Sequence, residues 1–229
     1  MNSLLLQKNI LESKQCFDQS LGDTIVFNTE SALCYLKISA YRQYCDFAPN
    51  IAVDGAFLAL ALRLRGFHVK RYHGPDLMKD IMCNNTSYCI LVGGTAQNEI
   101  LVNQGLIQKF ICLAYFEEIE NLLQDFKNKY VPTEKQNLVF FISLGLPKQE
   151  KFAHRLRNLL ETHFDLDPND FRIVAIGAAA DFHNGTKKRA GKFWRKLGLE
   201  WLPRLIREPR MWSRNIRSFA AFVLVVLGK

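Results

Sequence analysis

No stretch of this 229-residue chain is long and apolar enough to span a bilayer. The longest apolar run, FAAFVLVVL at 219–227, has nine residues, where a spanning helix needs about 20. The opening MNSLLLQKNILESKQ lacks the basic segment and long apolar core of an export signal. Cysteine is present but not in pairs of use: Cys16, Cys34, Cys45, Cys83, Cys89 and Cys112 all fall in the first half, several in apolar runs, and none are spaced Cys-x-x-Cys. That pattern argues against a disulfide framework and predicts reduced thiols in a cytoplasmic protein. His68, His73, His154, His163 and His183 show no zinc spacing. The one Asp-x-Asp, Asp165–Asp167, sits in a polar loop ahead of a strand, the wrong end for a ligand, so no metal site is expected. A Gly-x-Gly-x-x-Gly fingerprint is missing, which weakens a dinucleotide-dependent oxidoreductase reading. There is no internal repeat and no low-complexity segment.

What is present is an uneven charge. The net charge is +8, yet residues 186–229 alone carry twelve Lys and Arg against two Glu, and the remainder is slightly acidic. Trp194, Trp201 and Trp212, the three tryptophans, fall in the same basic segment. Such an asymmetry points to an anionic partner, a membrane surface or a nucleic acid.

Apolar, β-prone runs recur at 24–28, 50–55, 67–72, 88–94, 110–116, 138–145 and 172–179, with helix-length segments at 56–65, 95–108, 117–129 and 148–163. Continuous rather than alternating apolar runs predict a largely parallel, Rossmann-like α/β sheet covered by helices on both faces. The strand–helix pattern ends near Gly185. This divides the chain into a Rossmann-like domain, 1–185, and a basic helical appendage, 186–229.

In such sheets ligands bind beyond the carboxyl ends of the strands, and polar residues and glycines collect there. Asp54 reads either as a cap for the helix starting near Ala56 or as a base facing a cleft. In FISLGLPKQEKF (141–152), Gly145 permits close approach of a ligand. Pro147 suits a first helical position, and the free N–H groups of the helix start favour an anion. The plain alternative is a strand–helix turn with Glu150 as a cap. Gly93 and Gly94 are a cradle or simply a turn. Asp76 caps a helix or meets a ligand, and Arg71 pairs with it or with phosphate.

These motifs, together with AIGAAADFHNGTKKRAGKFWRKLGLEWLPRLIREPRMW (175–212), resemble the WecG/TagA/CpsF family of bacterial glycosyltransferases. The likeness runs in order from about residue 23 to 214 and includes Leu144–Glu150, Asp54-Gly55, Arg71-x-x-Gly74-x-Asp76, Gly177-Ala178 with Asp181, Gly185, Arg189-Ala190 and Gly198–Trp201. Gly191 replaces the proline that usually follows Arg-Ala, Asn28 is followed by Thr29 and Glu30 instead of small residues, and Ala178–Ala180 replaces a bulkier segment. The resemblance implies inverting transfer of a hexosyl or N-acetylhexosaminyl group from a UDP-sugar to a lipid-diphosphate-linked saccharide in surface polysaccharide synthesis. It implies no metal and no cofactor, and Asp54 as the base. The implied donor-binding set is Asn28, Thr29, Gly55, Gly74, Asp76, Gly93, Gly94, Gly145, Pro147, Lys148, Gln149, Glu150, Gly177 and Asp181. Arg71, Arg189, Arg195, Trp201, Arg204, Arg207 and Arg210 would meet the acceptor or the membrane. The basic, aromatic appendage suits docking at the inner face of an anionic plasma membrane, and a homo-oligomer is compatible with all of this. Without that likeness, an oxidoreductase on the same fold, or a nucleic-acid binder using the basic tail, would share the fold and charge.

Overall fold

The computed structural model of the chain describes residues 8–20, 22–84, 86–114, 116–132, 137–188, 190–191, 194 and 211–227, without the side chains of 14, 16, 19 and 211–215. Strands β1 (Asn9–Leu11), β2 (Thr24–Phe27), β3 (Asn50–Val53), β4 (Tyr88–Val92), β5 (Lys109–Ile111), β6 (Leu138–Ile142) and β7 (Phe171–Ala175) form one sheet in the order β1-β3-β2-β7-β6-β4-β5. Every pairing is parallel. The helices are α1 (Lys14–Gln19), α2 (Thr29–Lys37), α3 (Ser39–Asp46), α4 (Ala56–Leu64), α5 (Gly74–Met82), α6 (Glu99–Asn103), α7 (Ile119–Lys129), α8 (Lys148–Thr162), α9 (Ala180–His183) and α10 (Met211–Val226). Short 3-10 turns at Ala96–Asn98 and Gly177–Ala179 lead into α6 and α9.

The expected parallel α/β class is what forms, and the central strands show why. All five residues of β6, Leu-Val-Phe-Phe-Ile, are buried. Phe140 faces Leu122, Phe126, Leu156 and Leu160 of α7 and α8, while Phe141 faces the layer built from α1, α5, α6 and α9. A strand buried on both faces has no polar side, so its sequence reads as an unbroken apolar run. A third cluster joins Ile25, Phe27, Ile51 and Val53 to α2, α3 and α4, and Val225 of α10 also packs there.

Two expected elements differ. Residues 67–72 form no strand, although Val69 and Tyr72 are buried. Side chains occupy their backbone groups: the Lys70 N–H donates to Glu12 Oε1 at 3.1 Å, and the Val69 carbonyl accepts from Arg63 Nε at 2.8 Å. Only the Tyr72 N–H reaches a strand, at the Val53 carbonyl, 3.0 Å away. The edge position beside β3 belongs to β1, a three-residue strand too short to stand out in the sequence. The expected helix over 95–108 is a 3-10 turn and a five-residue helix, ended at Gly105, whose φ of 69° favours glycine.

A buried ion pair fixes the sheet's centre. Asp23, fully buried, accepts from Arg157 Nη1 of α8 at 2.6 Å and from the Ile173 N–H of β7 at 2.7 Å. Burial pushes its pKa up to about 6 even though the Arg157 charge opposes this.

Candidate active site

Because all strands are parallel, their carboxyl ends share one edge. Asp54 follows β3, Asn28 and Thr29 follow β2, Gly177 lies just past β7, Ser143–Gly145 follow β6, and Gly93-Gly94 follow β4. Strand order makes these neighbours along one rim.

At the β3 corner, Asp54 does not cap α4, which has no side-chain cap. Its Oδ1 lies 2.7 Å from Nδ1 of His73, and Oδ2 lies 3.5 Å from the Gly74 N–H at the start of α5. Burial works to raise the Asp54 pKa. The hydrogen bonds from His73 and from the N–H groups of Gly74 and Gly55 outweigh it and hold the carboxyl below its ordinary value. Gly55 adopts φ 97°, and a Cβ on it would meet the Thr29 hydroxyl at 3.6 Å, so Thr29 stands beside the Asp54 turn. Asn28 closes a capping box for α2: its Oδ1 accepts from the Glu30 and Ser31 N–H groups at 2.9 and 3.0 Å. Asp76 lies in the first turn of α5, and Arg71 precedes it, partly buried.

At the centre, three side chains tie the β6 and β7 turns together. The Ser143 hydroxyl donates to the Gly177 carbonyl at 2.7 Å, and the Gly177 N–H donates to Gln149 Oε1 at 2.9 Å. Gln149 Nε2 then donates to Glu150 Oε1 at 2.8 Å. Gln149 is 4% exposed and Glu150 fully buried, so Glu150 does not cap α8. Burial drives the Glu150 pKa up to about 7, with the Gln149 hydrogen bond opposing it. Glu150 Oε2 and the Tyr41 hydroxyl are both buried without a hydrogen-bond partner among the described residues. Pro147 is the residue before α8, joined to Leu146 by a cis peptide, and not its first helical residue. The Lys148 ammonium donates to the Glu117 carbonyl beyond β5.

At the far side, a Cβ on Gly94 would stand 2.3 Å from Asn98 Nδ2, and φ at Gly94 is 89°. Asn98 is fully buried and accepts at Oδ1 from Asn184 Nδ2 at 2.5 Å, which links this turn to the end of α9. Asp181 pairs with Lys187, and its carbonyl accepts from the Thr186 hydroxyl, which braces the following loop. His183 Nε2 bonds the Pro75 carbonyl of α5 at 2.8 Å.

The structure thus brings Asp54, Gly55, Thr29, Gly74, Gln149, Gly177, Gly93, Gly94 and Gly145 to one edge. Arg189, Arg195, Trp201, Arg204, Arg207 and Arg210 lie outside the described residues. The sequence reading left out His73, Ser143, Asn98 and Asn184. A signal existed for His73 alone, a titratable ring directly before the Gly-Pro-Asp helix start. Asp165 and Asp167 lie at the opposite edge, where Asp167 Oδ1 accepts from the Asn169 N–H. Among the described residues no three His, Cys, Asp or Glu side chains converge.

A parallel sheet with glycine turns and one stabilised carboxylate along its carboxyl edge places the chain in the Rossmann-like α/β enzyme class. Comparison with known proteins narrows that class. Residues 8–229 match the family model "Glycosyl transferase WecG/TagA/CpsF family", and the chain belongs to that family; it is a glycosyltransferase. It is 27% identical over 226 residues to the N-acetylglucosaminyldiphosphoundecaprenol N-acetyl-beta-D-mannosaminyltransferase of Bacillus subtilis (strain 168). That alignment covers 93% of this chain and 82% of the relative.

Proposed function

We propose that this enzyme transfers an N-acetylhexosaminyl group from a UDP-sugar to an N-acetylglucosaminyl residue on a lipid diphosphate, with inversion and without a metal ion. The Bacillus relative, named for N-acetylmannosaminyl transfer to a diphosphoundecaprenol-linked N-acetylglucosamine, supports this choice of donor and acceptor. The carrying observation is the rim itself, with a charged carboxylate, Asp54, at one corner and neutral turns along the rest. In direct displacement, the acceptor oxygen attacks the anomeric carbon as its proton leaves toward the Asp54 corner. The bond to the diphosphate breaks, and its electron pair departs with UDP. Asp54 supplies the negative charge that draws the proton. The glycine turns leave room for the diphosphate close to backbone N–H groups.

The C-terminal helix supports an acceptor carried in a membrane. Ala221 and Val225 of α10 are buried, and Phe57 of α4 meets Phe222 with ring centroids 6.1 Å apart. Ile216, Phe219 and Val223 on α10, Leu227 just after it, and Leu60 and Leu64 on α4 are left exposed. Exposed apolar side chains on a helix that follows a basic segment in the sequence suit peripheral docking on an anionic bilayer. No described helix is long and apolar enough to cross one. Arg217 pairs with Glu30 at 3.1 Å, next to Thr29, so α10 lies against the β2 corner of the rim.

The test is transfer from UDP-N-acetylmannosamine and other UDP-sugars to a short-chain lipid diphosphate bearing N-acetylglucosamine, with and without EDTA, for wild type and Asp54→Asn. EDTA-resistant transfer of one sugar, lost in Asp54→Asn, is expected. Absence of transfer from every UDP-sugar overturns the reading.

A further inference from the structure

The Asp54 carboxylate is poorly suited to hold the acceptor's proton by itself. One oxygen is bonded to His73 at 2.7 Å and the other faces the amino end of α5. Both interactions stabilise the charged form and weaken it as a base. The His73 ring is in the opposite position. Its Nδ1 is committed to Asp54, its side chain is 16% exposed, and its Nε2 has no hydrogen-bond partner among the described residues. The ring is fixed from its own backbone: His73 is the residue before α5, and its carbonyl accepts from the Asp76 and Leu77 N–H groups, both at 2.9 Å. Gly74 packs under Val26, Ile176 and Ala179, so the turn that carries the ring is held to the β2 and β7 ends of the rim.

We propose that His73 is a catalytic residue of the transfer, a proposal that rests on the transferase reading above. Neutral His73 accepts the acceptor hydroxyl's proton at Nε2, and Asp54 holds the ring by Nδ1–H and balances the imidazolium that forms. The acceptor O–H bond breaks, the new O–C bond forms at the anomeric carbon, and the C–O bond to the diphosphate breaks with its electrons leaving on UDP. The proton remains on His73 until solvent takes it. A carboxylate that orients one imidazole nitrogen while the other handles the proton is a recurrent arrangement in proton transfer. The other titratable or charged groups around the ring are Arg71 on its own segment, Asp76 of α5, and Asp181 and His183 of α9, which packs on α5.

Two variants separate proton transfer from mere support. His73→Asn keeps an amide where Nδ1 stands, so it retains a donor to Asp54 but has nothing at Nε2. His73→Gln places its amide nearer Nε2 but cannot accept a proton as a base. Transfer is measured against pH for wild type and both variants, with melting midpoints and donor KM recorded alongside. If His73 takes the proton, wild-type kcat falls as the pH drops and the ring becomes charged. Both variants then lose about a hundredfold or more in kcat at similar donor KM, and their residual acid limb moves down into the carboxylate range. If His73→Asn retains kcat within a few-fold with the acid limb unmoved or raised, Asp54 takes the proton alone and the proposal fails. Melting within a few degrees of wild type for either variant secures the comparison. Wild-type protein that transfers no sugar would instead overturn the transferase reading, and this inference with it.

Discussion

Replacing Glu150 by glutamine changes one atom in the clasp at the centre of the rim, and its effect on stability is calculable. Glu150 is fully buried, and its pKa rises from 4.5 to about 7, chiefly through burial. A folded-state pKa above the unfolded one means that the native protein keeps a proton the unfolded chain has released. Stability is therefore lost as pH rises through the window from 4.5 to about 7, and the full cost is present above it. At 1.36 kcal/mol per pKa unit, that cost is about 3 kcal/mol. In Glu150→Gln nothing ionises, Oε1 can still accept from Gln149 Nε2, and the new amide lies near the Tyr41 hydroxyl. The informative quantity is the difference between variant and wild type, because Asp23, which also gains a proton near pH 6, contributes equally to both. Urea denaturation at pH 5 and pH 8 is expected to show that difference shifting toward the glutamine by about 2.5 kcal/mol, since part of the cost is already present at pH 5. Parallel stability–pH curves for the two proteins would refute a raised Glu150 pKa and the burial argument behind it.

Three further outcomes follow from the same geometry. Gly94→Ala forces a Cβ to within 2.3 Å of Asn98 Nδ2 at a φ of 89°, so loss of UDP-dependent thermal protection together with a lower melting midpoint is expected, and an unchanged midpoint would contradict it. Arg157→Met leaves Asp23 buried without its cation and should cost about 3–5 kcal/mol at pH 8, but markedly less near pH 5 where Asp23 holds a proton, as chemical denaturation would show. Ile216→Asp with Phe219→Asp places two charges on the exposed face of α10 and is expected to lower binding to anionic vesicles by tenfold or more at unchanged melting, which corresponds to about 1.4 kcal/mol or more of lost apolar contact.

The sheet was legible because its strands have no polar face. The run Leu138–Ile142 is buried at every position, and buried residues cannot hide in the sequence. Residues 67–72 misled for the complementary reason. Val69 and Tyr72 are as buried as strand residues, but Arg63 and Glu12 take the backbone groups a ladder would need. Those two partners lie outside the segment, and local apolarity carries no record of them. Gly55, Gly93, Gly94, Gly145 and Gly177 were legible because positive φ leaves little alternative to glycine. Ser143, Asn98 and Asn184 were not, since a hydrogen bond such as Asn98–Asn184, 86 residues apart, exists only after the strands are ordered.

The distribution of charge along the rim bears on what the basic segment is for. The UDP leaving group of the proposed reaction carries negative charge that grows as the bond to the sugar breaks, and stabilising it requires cations or N–H groups aimed at that point. Among the described residues, the central and far parts of the rim offer mainly neutral groups: the Gly177 turn, Ser143, Gln149, Gly93-Gly94 and Asn98. Lys148 directs its ammonium at the Glu117 carbonyl, and the carboxylate of Asp54 adds negative charge at the other corner. Residues 186–229 hold the chain's entire basic excess, and α10, where that segment ends, is fastened beside Thr29 through Arg217 and Glu30. On the proposed reading, the sheet positions donor and base, and the basic excess of residues 186–229 supplies countercharge when the acceptor is engaged at the membrane. Under that division, donor binding to the free enzyme depends weakly on salt, whereas turnover on vesicles falls steeply with it. Equal salt dependence of the two would place the countercharge on the sheet instead.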